Sequence, residues 1–535
     1  MRDEHGRTAI RRSRSGNRRM GDSIDDLAHR LAAALGEAQV MTAPDRLAFY
    51  AHDVFTRGAE ALCIVRPLDI AGVQTAARLC AQAGVAMVPR GGGASYSDGY
   101  VSDQPHVLFD MGALQSIEID ADNAHVRVGA GVTWAALKAA LDPLGLRTPF
   151  WGPFSGIVAT IGGSMSQNTI SHGSGAHGIS AQSLIGMEVV LADGTLMNTG
   201  ISNATRHYGP DLTGLFTGDC GALGLKVAIT LPLIAARPAF DTASFSFADF
   251  ASYHRSASQL AREGLDDSHF SIDQALSQGQ IARSEGTAAR LNIARNVMRA
   301  APNPLSGVVQ LAKMALAGEG EMREARYSCH VIVEGVDKAD VNARLNRIRA
   351  IMTAEGQEIA NSAAAFVRSM PFAPLYNVLG PRGERWVPLH GIFTHKAANR
   401  FHSDFIALLE TRRAEMERLG VWTGTMFSSI GGHGLLYEIA IYWPDTLTPY
   451  HREILGADYL AGIPAYPESP EARAAAHQLK ADLVDLMQCH GSAHFQIGRA
   501  YPYLDRLDPA ARVLVRATKA ALDPQNLMNP GVLGL

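Results

Sequence analysis

Disulfide chemistry, a strong charge of either sign and long apolar runs are all missing from this 535-residue chain. Its five cysteines, Cys63, Cys80, Cys220, Cys329 and Cys489, are odd in number, scattered and free of CxxC spacing, a pattern of reduced thiols in a cytosol rather than of a disulfide or zinc framework. A formal net charge of −4 gives no electrostatic ground for a nucleic-acid partner. No apolar run approaches the roughly 18 to 20 residues that span a bilayer, so no membrane span is expected. Arg11-Arg12 lies in an arginine-rich, apolar-poor first twenty residues with no apolar segment behind it. Residues 1–22 therefore read as a disordered tail, and the location as cytoplasmic with the periplasm as the alternative.

What the chain has in quantity is glycine, 52 residues of it, gathered in blocks. In Val88-Pro89-Arg90-Gly91-Gly92-Gly93-Ala94-Ser95, three glycines follow an apolar run, an arrangement useless to a packed core but able to present bare N–H groups to a diphosphate beside the charge of Arg90. A second block runs from Gly162 to Gly178, and a third from Gly209 to Gly224. Gly173, Gly175 and Gly178 match the dinucleotide fingerprint G-x-G-x-x-G, but a polar stretch precedes them and a strand follows, so a nicotinamide-type Rossmann site is rejected.

With 47% hydrophobic and 19% charged residues, the chain is globular and too long for one ordinary core. Helical spacing over Leu27–Leu35, Val73–Ala83 and Trp134–Leu141 alternates with β runs at Leu62–Arg66, Val85–Val88, Val107–Met111, Ser116–Ile119, His125–Val128 and Val227–Leu233. Pro232 and Pro238 then mark a boundary. Beyond it come long helical stretches at Ala288–Met298, Val341–Met352 and Phe401–Leu419, with β runs at Tyr327–Glu334 and Leu435–Trp443.

Four blocks in order, Pro89-Arg90-Gly91-Gly92-Gly93, Thr160-Ile161-Gly162-Gly163, Gly221-Ala222-Leu223-Gly224 and Leu522-Asp523-Pro524 with Asn529-Pro530-Gly531, resemble the vanillyl-alcohol oxidase / para-cresol methylhydroxylase superfamily. That resemblance implies an α+β fold: a two-subdomain PCMH-type FAD-binding domain over 23–236, an α+β cap domain over 237–490, and a C-terminal segment, 491–535, returning to the first. It implies that Arg90, Gly91, Gly92, Gly93, Ala94 and Ser95 bind the FAD diphosphate. Thr160, Gly162, Gly163, Asn168, His172, Gly173, Gly175 and Gly178 would line the pyrophosphate and ring, Gly224 and Val227 would flank the cofactor, and Asn529 would approach the ring. Ala94 and Ser95 stand where many relatives carry a flavin-linking histidine, which excludes that tether. Tyr376, ten residues before Trp386, is the candidate for an O-linked flavin.

Hydride transfer to flavin needs a base near the departing proton and a donor for developing charge. His433, between glycines, and Glu438 in the following β run are candidates. So are His494, Arg499 and Tyr501 near the C-terminus, with Tyr96 or Tyr100 offering a phenol-binding hydroxyl. The leading substrate class is a small para-substituted phenol or benzylic alcohol, the flavin being reoxidised by oxygen, a cytochrome or another electron acceptor. A second reading is an FAD-linked 2-hydroxyacid dehydrogenase or alkylglycerone-phosphate-synthase-like enzyme, for which Arg368, Arg382, Arg385 and Arg499 would bind an acid. A third is a non-catalytic protein with the same fold. No metal-ligand cluster is visible, and the resemblance implies a homodimer.

Overall fold

The apolar runs between the glycine blocks pair into separate sheets in a computed structural model that describes residues 26–201, 204–284, 324–359, 362–372 and 374–535. The expected N-terminal tail and the Ala288–Met298 helix lie outside these residues. The fold is α+β. The first sheet holds β1 (Val40–Met41), β2 (Cys63–Val65), β3 (Ala86–Arg90) and β4 (His106–Asp110) in the order β1-β2-β4-β3, the last three strands parallel. Every residue of β4 is buried, as a strand covered on both faces requires. The helix Ile70–Ala83 packs here. Asp69 caps it through Gly72 N, and Gly84, at φ 64°, ends it.

The second sheet is antiparallel. It runs β5 (Ile117–Asp120), β6 (His125–Gly129), β10 (Leu225–Pro232), β8 (Gly186–Val190) and β9 (Leu196–Asn198), while β7 (Leu146–Arg147) pairs with β11 (Ile234–Ala235) beside it. The two larger sheets share one apolar core, from Leu27 and Val65 to Val128, Ile229 and Leu231.

A seven-stranded antiparallel sheet follows: β12 (Ala239–Phe247), β13 (Ser268–Asp273), β14 (Tyr327–Gly335), β15 (Gln357–Ile359), β16 (Arg385–Thr394), β17 (Trp422–Ile430) and β18 (Gly434–Trp443), in the order β15-β12-β14-β13-β17-β18-β16. Because side chains alternate, Val387, Leu389 and Phe393 of β16 and Tyr437, Ile439 and Ile441 of β18 join the core with helices Phe250–Glu263, Lys338–Met352, His395–Leu419 and Pro470–Cys489. The even-numbered residues of these strands stand on the other face.

The C-terminus returns to β3. Met87 N donates to Leu527 O at 2.7 Å, and Asn529 N donates back to Met87 O at 2.9 Å. Buried Asp523 caps the turn by accepting from Leu527 and Met528 N.

Candidate functional site

At the end of β3 the chain turns through Gly91-Gly92-Gly93 so close to residues 158–160 that no side chain fits. A Cβ on Gly91 would stand 2.4 Å from Thr160 Oγ1, and one on Gly92 1.7 Å from Val158 O. Gly93 has φ 73°, and a Cβ there would stand 2.0 Å from Arg90 Nη2. That contact corrects the reading of Arg90. Its guanidinium is buried beneath the turn, over the rings of Tyr50 at 4.5 Å, Phe49 at 5.2 Å and Tyr100 at 5.4 Å, so it braces the loop from behind. The Tyr100 and Tyr450 hydroxyls both donate to Gly93 O at 2.8 Å. With that carbonyl turned inward, the trans peptide points the Ala94 N–H to the opposite side.

Facing the turn, Thr160 caps the helix Ile161–Gln167 by accepting from Gly163 N at 3.2 Å, and Asn168 ends the helix at φ 51°. Gly162 packs on Ala130, with a Cβ position 2.7 Å from the Ala130 methyl. Ser95 O accepts from Val54 N, fixing the loop's far end. Five buried polar atoms here, Arg90 Nε, Ser97 Oγ, Asp98 Oδ1, Asn168 Oδ1 and Ser171 Oγ, have no hydrogen-bond partner among the described residues. Glycine loops too tight for side chains, with unspent polar atoms around them, fit an extended diphosphate-bearing cofactor.

Several expected cofactor residues do other work. The Asn529 amide donates to Gly99 O and Cys220 O, both at 2.7 Å, and its Oδ1 accepts from Arg499, so it knots loops together instead of facing a ring. Arg499 is spent the same way on Asp98 O and Pro530 O, both at 2.8 Å, and is no substrate clamp. His172 stacks on Trp151 at 4.5 Å and meets Pro371 O at 2.8 Å through Nε2, joining the first domain to the cap; burial pulls its pKa down to about 4. Gly173, Gly175 and Gly178 turn their Cβ sides to Pro149, Asp266 and Gln182, around a helix only four residues long, Ser174–His177. Gly224 packs on Val189, while Val227 is a core side chain at the β-bulge where β10 shifts register against β8. Tyr376 is 38% exposed and lies flat on Tyr459 at 3.9 Å, which gives no support to a flavin bond there.

The chemistry-bearing cluster lies on the even-numbered face of the cap sheet. Here β16 and β18 put His390 directly opposite Glu438. Apolar patches flank them, Ile392, Leu436 and Phe495 on one side and Trp386, Ala440 and Tyr442 on the other. His390 Nε2 sits 2.9 Å from Glu438 Oε2 and 3.2 Å from the Tyr96 hydroxyl, while its buried Nδ1 has no partner among the described residues. Phe495 and Tyr96 cover the imidazole at ring distances of 4.5 and 5.3 Å, and Trp386 meets Tyr96 edge-on at 5.5 Å. Burial, then the charge of Glu438, pushes the Tyr96 hydroxyl well above its ordinary pKa, so it remains a donor at neutral pH.

Tyr501 and His494 set this imidazole in place. His390 N donates to the Tyr501 hydroxyl at 2.8 Å, His494 Nδ1 donates to His390 O at 2.7 Å, and the rings of His494 and Tyr501 stack at 4.2 Å. Burial holds His494 down to about 4, so it is neutral and positions the strand instead of carrying a proton at neutral pH. Thus the expected Tyr96, Glu438, His494 and Tyr501 come together. His433 does not: it is exposed in the β17–β18 turn, five strand residues or about 16 Å from Glu438. His390, which sequence reasoning passed over, is at the centre. Its only signal was a histidine in the otherwise apolar run Val387-Pro388-Leu389-His390-Gly391-Ile392-Phe393.

Comparison with known proteins agrees with the cradle. Residues 61–200 match the family model described as FAD binding domain. A glycolate oxidase subunit GlcD of Bacillus subtilis (strain 168) is 31% identical over 172 residues, 32% of this chain and 36% of that protein. A D-lactate dehydrogenase of Archaeoglobus fulgidus is 29% identical over 181 residues, 34% and 40% of the two chains. The chain thus spans little more than a third of the length of these curated relatives. Among solved structures, p-cresol methylhydroxylase with substrate bound superposes with a TM-score of 0.71 at 17% identity, covering 96% of this chain and 97% of that one. An alkyldihydroxyacetonephosphate synthase gives 0.68 at 13%, covering 95% and 84%. Residues 61–200 are thus an FAD binding domain, the cofactor of the glycine cradle is FAD, and the whole chain shares the fold of p-cresol methylhydroxylase.

Proposed function

We propose that this protein is an FAD-dependent oxidoreductase that takes a hydride from a C–H bond of a small para-substituted phenol or benzylic alcohol, with His390 and Glu438 as its acid–base pair. The observation that carries this reading is the buried imidazole held between the Tyr96 hydroxyl and a carboxylate under aromatic walls. Bound FAD supplies the hydride acceptor, regenerated by oxygen or an electron-transfer partner. The chain's own groups handle the proton. His390 takes it from the substrate, Glu438 stabilises the imidazolium that results, and Tyr96 donates to the oxygen on which charge develops. Tyr501 and His494 keep the imidazole at this height on the sheet.

The relatives' names favour a second reading, oxidation of a 2-hydroxy acid, but the similarity lies in the FAD-binding part. Of the four arginines the sequence offers for an acid, three are tied down away from this cluster: Arg368 with Glu334 at 2.9 Å, Arg385 with Phe55 O at 3.2 Å, and Arg499 in the C-terminal knot. Among the described residues no His, Cys, Asp and Glu cluster could hold a metal. The deciding experiment mixes the enzyme anaerobically with 4-alkylphenols and benzylic alcohols, and separately with glycolate and D-lactate. The phenolic reading expects the visible flavin band to bleach with the first set alone; bleaching by the hydroxy acids alone refutes it. A homodimer belongs to the same proposal, and gel filtration tests it.

A further inference from the structure

Buried arginines spend their donors on carboxylates and carbonyls. Arg147, on β7, does not. Its Nε, Nη1 and Nη2 are all buried and all without a hydrogen-bond partner among the described residues. The carboxylates nearest it, Glu334 and Asp267, stand at 3.5 and 3.9 Å and are held by other cations. Arg368 binds Glu334 at 2.9 Å, while Arg344 and Arg237 reach Asp267 at 3.0 and 3.3 Å. Arg147 lines a cavity of about 90 Å³ between the two halves of the molecule, walled by Trp134 and Trp151 from one side and by Glu334 and Arg368 from the other. Arg368 Nε is a further buried donor without a partner among the described residues. The remaining acid in the wall, Asp142, is paired with Lys138 at 2.6 Å.

We propose that this cavity is a binding site for a small carboxylate anion, gripped by Arg147 and separate from the His390 site. The guanidinium fork matches a carboxylate bidentately, and the unspent donors supply the charge-assisted bonds the protein does not make internally. Both acids in the wall are neutralised by their own partners, so an arriving anion meets net positive charge. A cavity of this size has room for several waters and so for a small carboxylate in their place. Trp151 stacks on His172, so occupation touches the loop that carries Ser171. It also strengthens the seam, since the walls come from both halves.

The test titrates the flavin-loaded enzyme with acetate, then with phosphate, at constant chloride-matched ionic strength, reading calorimetric heat, thermal midpoint and the flavin band. We expect a saturable acetate isotherm and a raised midpoint. Arg147→Gln should weaken binding about 10- to 100-fold, and Leu146→Trp should fill the cavity and abolish it with Arg147 in place. His390→Ala, which alters the other site, should leave acetate binding unchanged. If Arg147→Gln fails to fold, the Leu146→Trp enzyme decides. Absence of a saturable isotherm, phosphate binding in acetate's place, or acetate binding that survives both cavity substitutions would overturn the assignment. None of these readouts depends on which substrate the flavin oxidises.

Discussion

Gly92→Ala isolates the steric argument for the cofactor cradle. Gly92 is not left-handed, so the substitution carries no backbone strain and the whole effect is one of space. The new methyl would stand 1.7 Å from Val158 O, where ordinary contact begins at 3.4 Å, and the obstacle is backbone, not a side chain that can swing away. The turn or residues 158–160 must therefore move by about 1.7 Å. Overpacking of this kind costs about 1–3 kcal/mol, which, taken from the loop that meets the cofactor, weakens FAD binding about 5- to 150-fold. The control is Gly84→Ala, at φ 64° with nothing within 4 Å of its Cβ position. It costs about 1–2 kcal/mol of stability through its left-handed backbone and leaves FAD affinity alone. The assay is the flavin-to-protein absorbance ratio after exhaustive gel filtration, followed by titration of the apoprotein with FAD. A Gly92→Ala protein that retains full flavin with unchanged affinity would refute the claim that this turn holds the cofactor.

Three further outcomes are expected. Glu438→Gln and His390→Asn should each lower kcat about 10²- to 10⁴-fold with flavin content unchanged, and a loss under tenfold in steady-state assays would remove the pair from the chemistry. Acid precipitation should leave the yellow colour in the supernatant, and Tyr376→Phe should change nothing, because Tyr376 is exposed and engaged with Tyr459; colour in the pellet of the wild type alone would establish the tether instead. Stability should fall on acidification. His172, His330 and His494 are buried neutral, each held down from 6.5 to about 4, so the unfolded chain binds more protons between those values; each contributes stability that is present above pH 6.5 and lost toward pH 4, up to about 1.4 kcal/mol per pH unit, and a flat thermal midpoint over that window would contradict it.

Local pattern made much of the scaffold legible. The helix Trp134–Leu141 stands where apolar spacing placed it, and the β runs near residues 63, 86, 107 and 327 became strands. The glycine triplet was readable because nothing but close approach explains it. Side-chain direction was not: the sequence puts Arg90 beside the turn but cannot say that the guanidinium folds under it, through the space a Gly93 side chain would need. Nor can it say that Asn529 and Arg499, 30 residues apart, satisfy each other. His390 stayed hidden for a deeper reason. Its meaning depends on the β16–β18 register across 48 residues, and a shift of one residue would bury it among the helices instead.

The two halves of the molecule are constrained by different physics, and the pattern of resemblance follows. At the cradle, successive positions admit no side chain, and Tyr100, Tyr450 and Arg90 fix the turn from behind, so little can change there without loss of FAD. It is here that the family model and the curated relatives match. The cap asks only for period-2 alternation that buries one face under helices, a demand many sequences meet. Its other face is free to carry any polar group the substrate requires. Whole-chain likeness at 13–17% identity is therefore what this fold should show, and it speaks for the scaffold alone. On the function proposed above, the substrate is decided by the few even-numbered side chains of β16 and β18. Exchanging Glu438 and His390 for apolar residues should leave a folded, yellow protein that no longer oxidises its substrate.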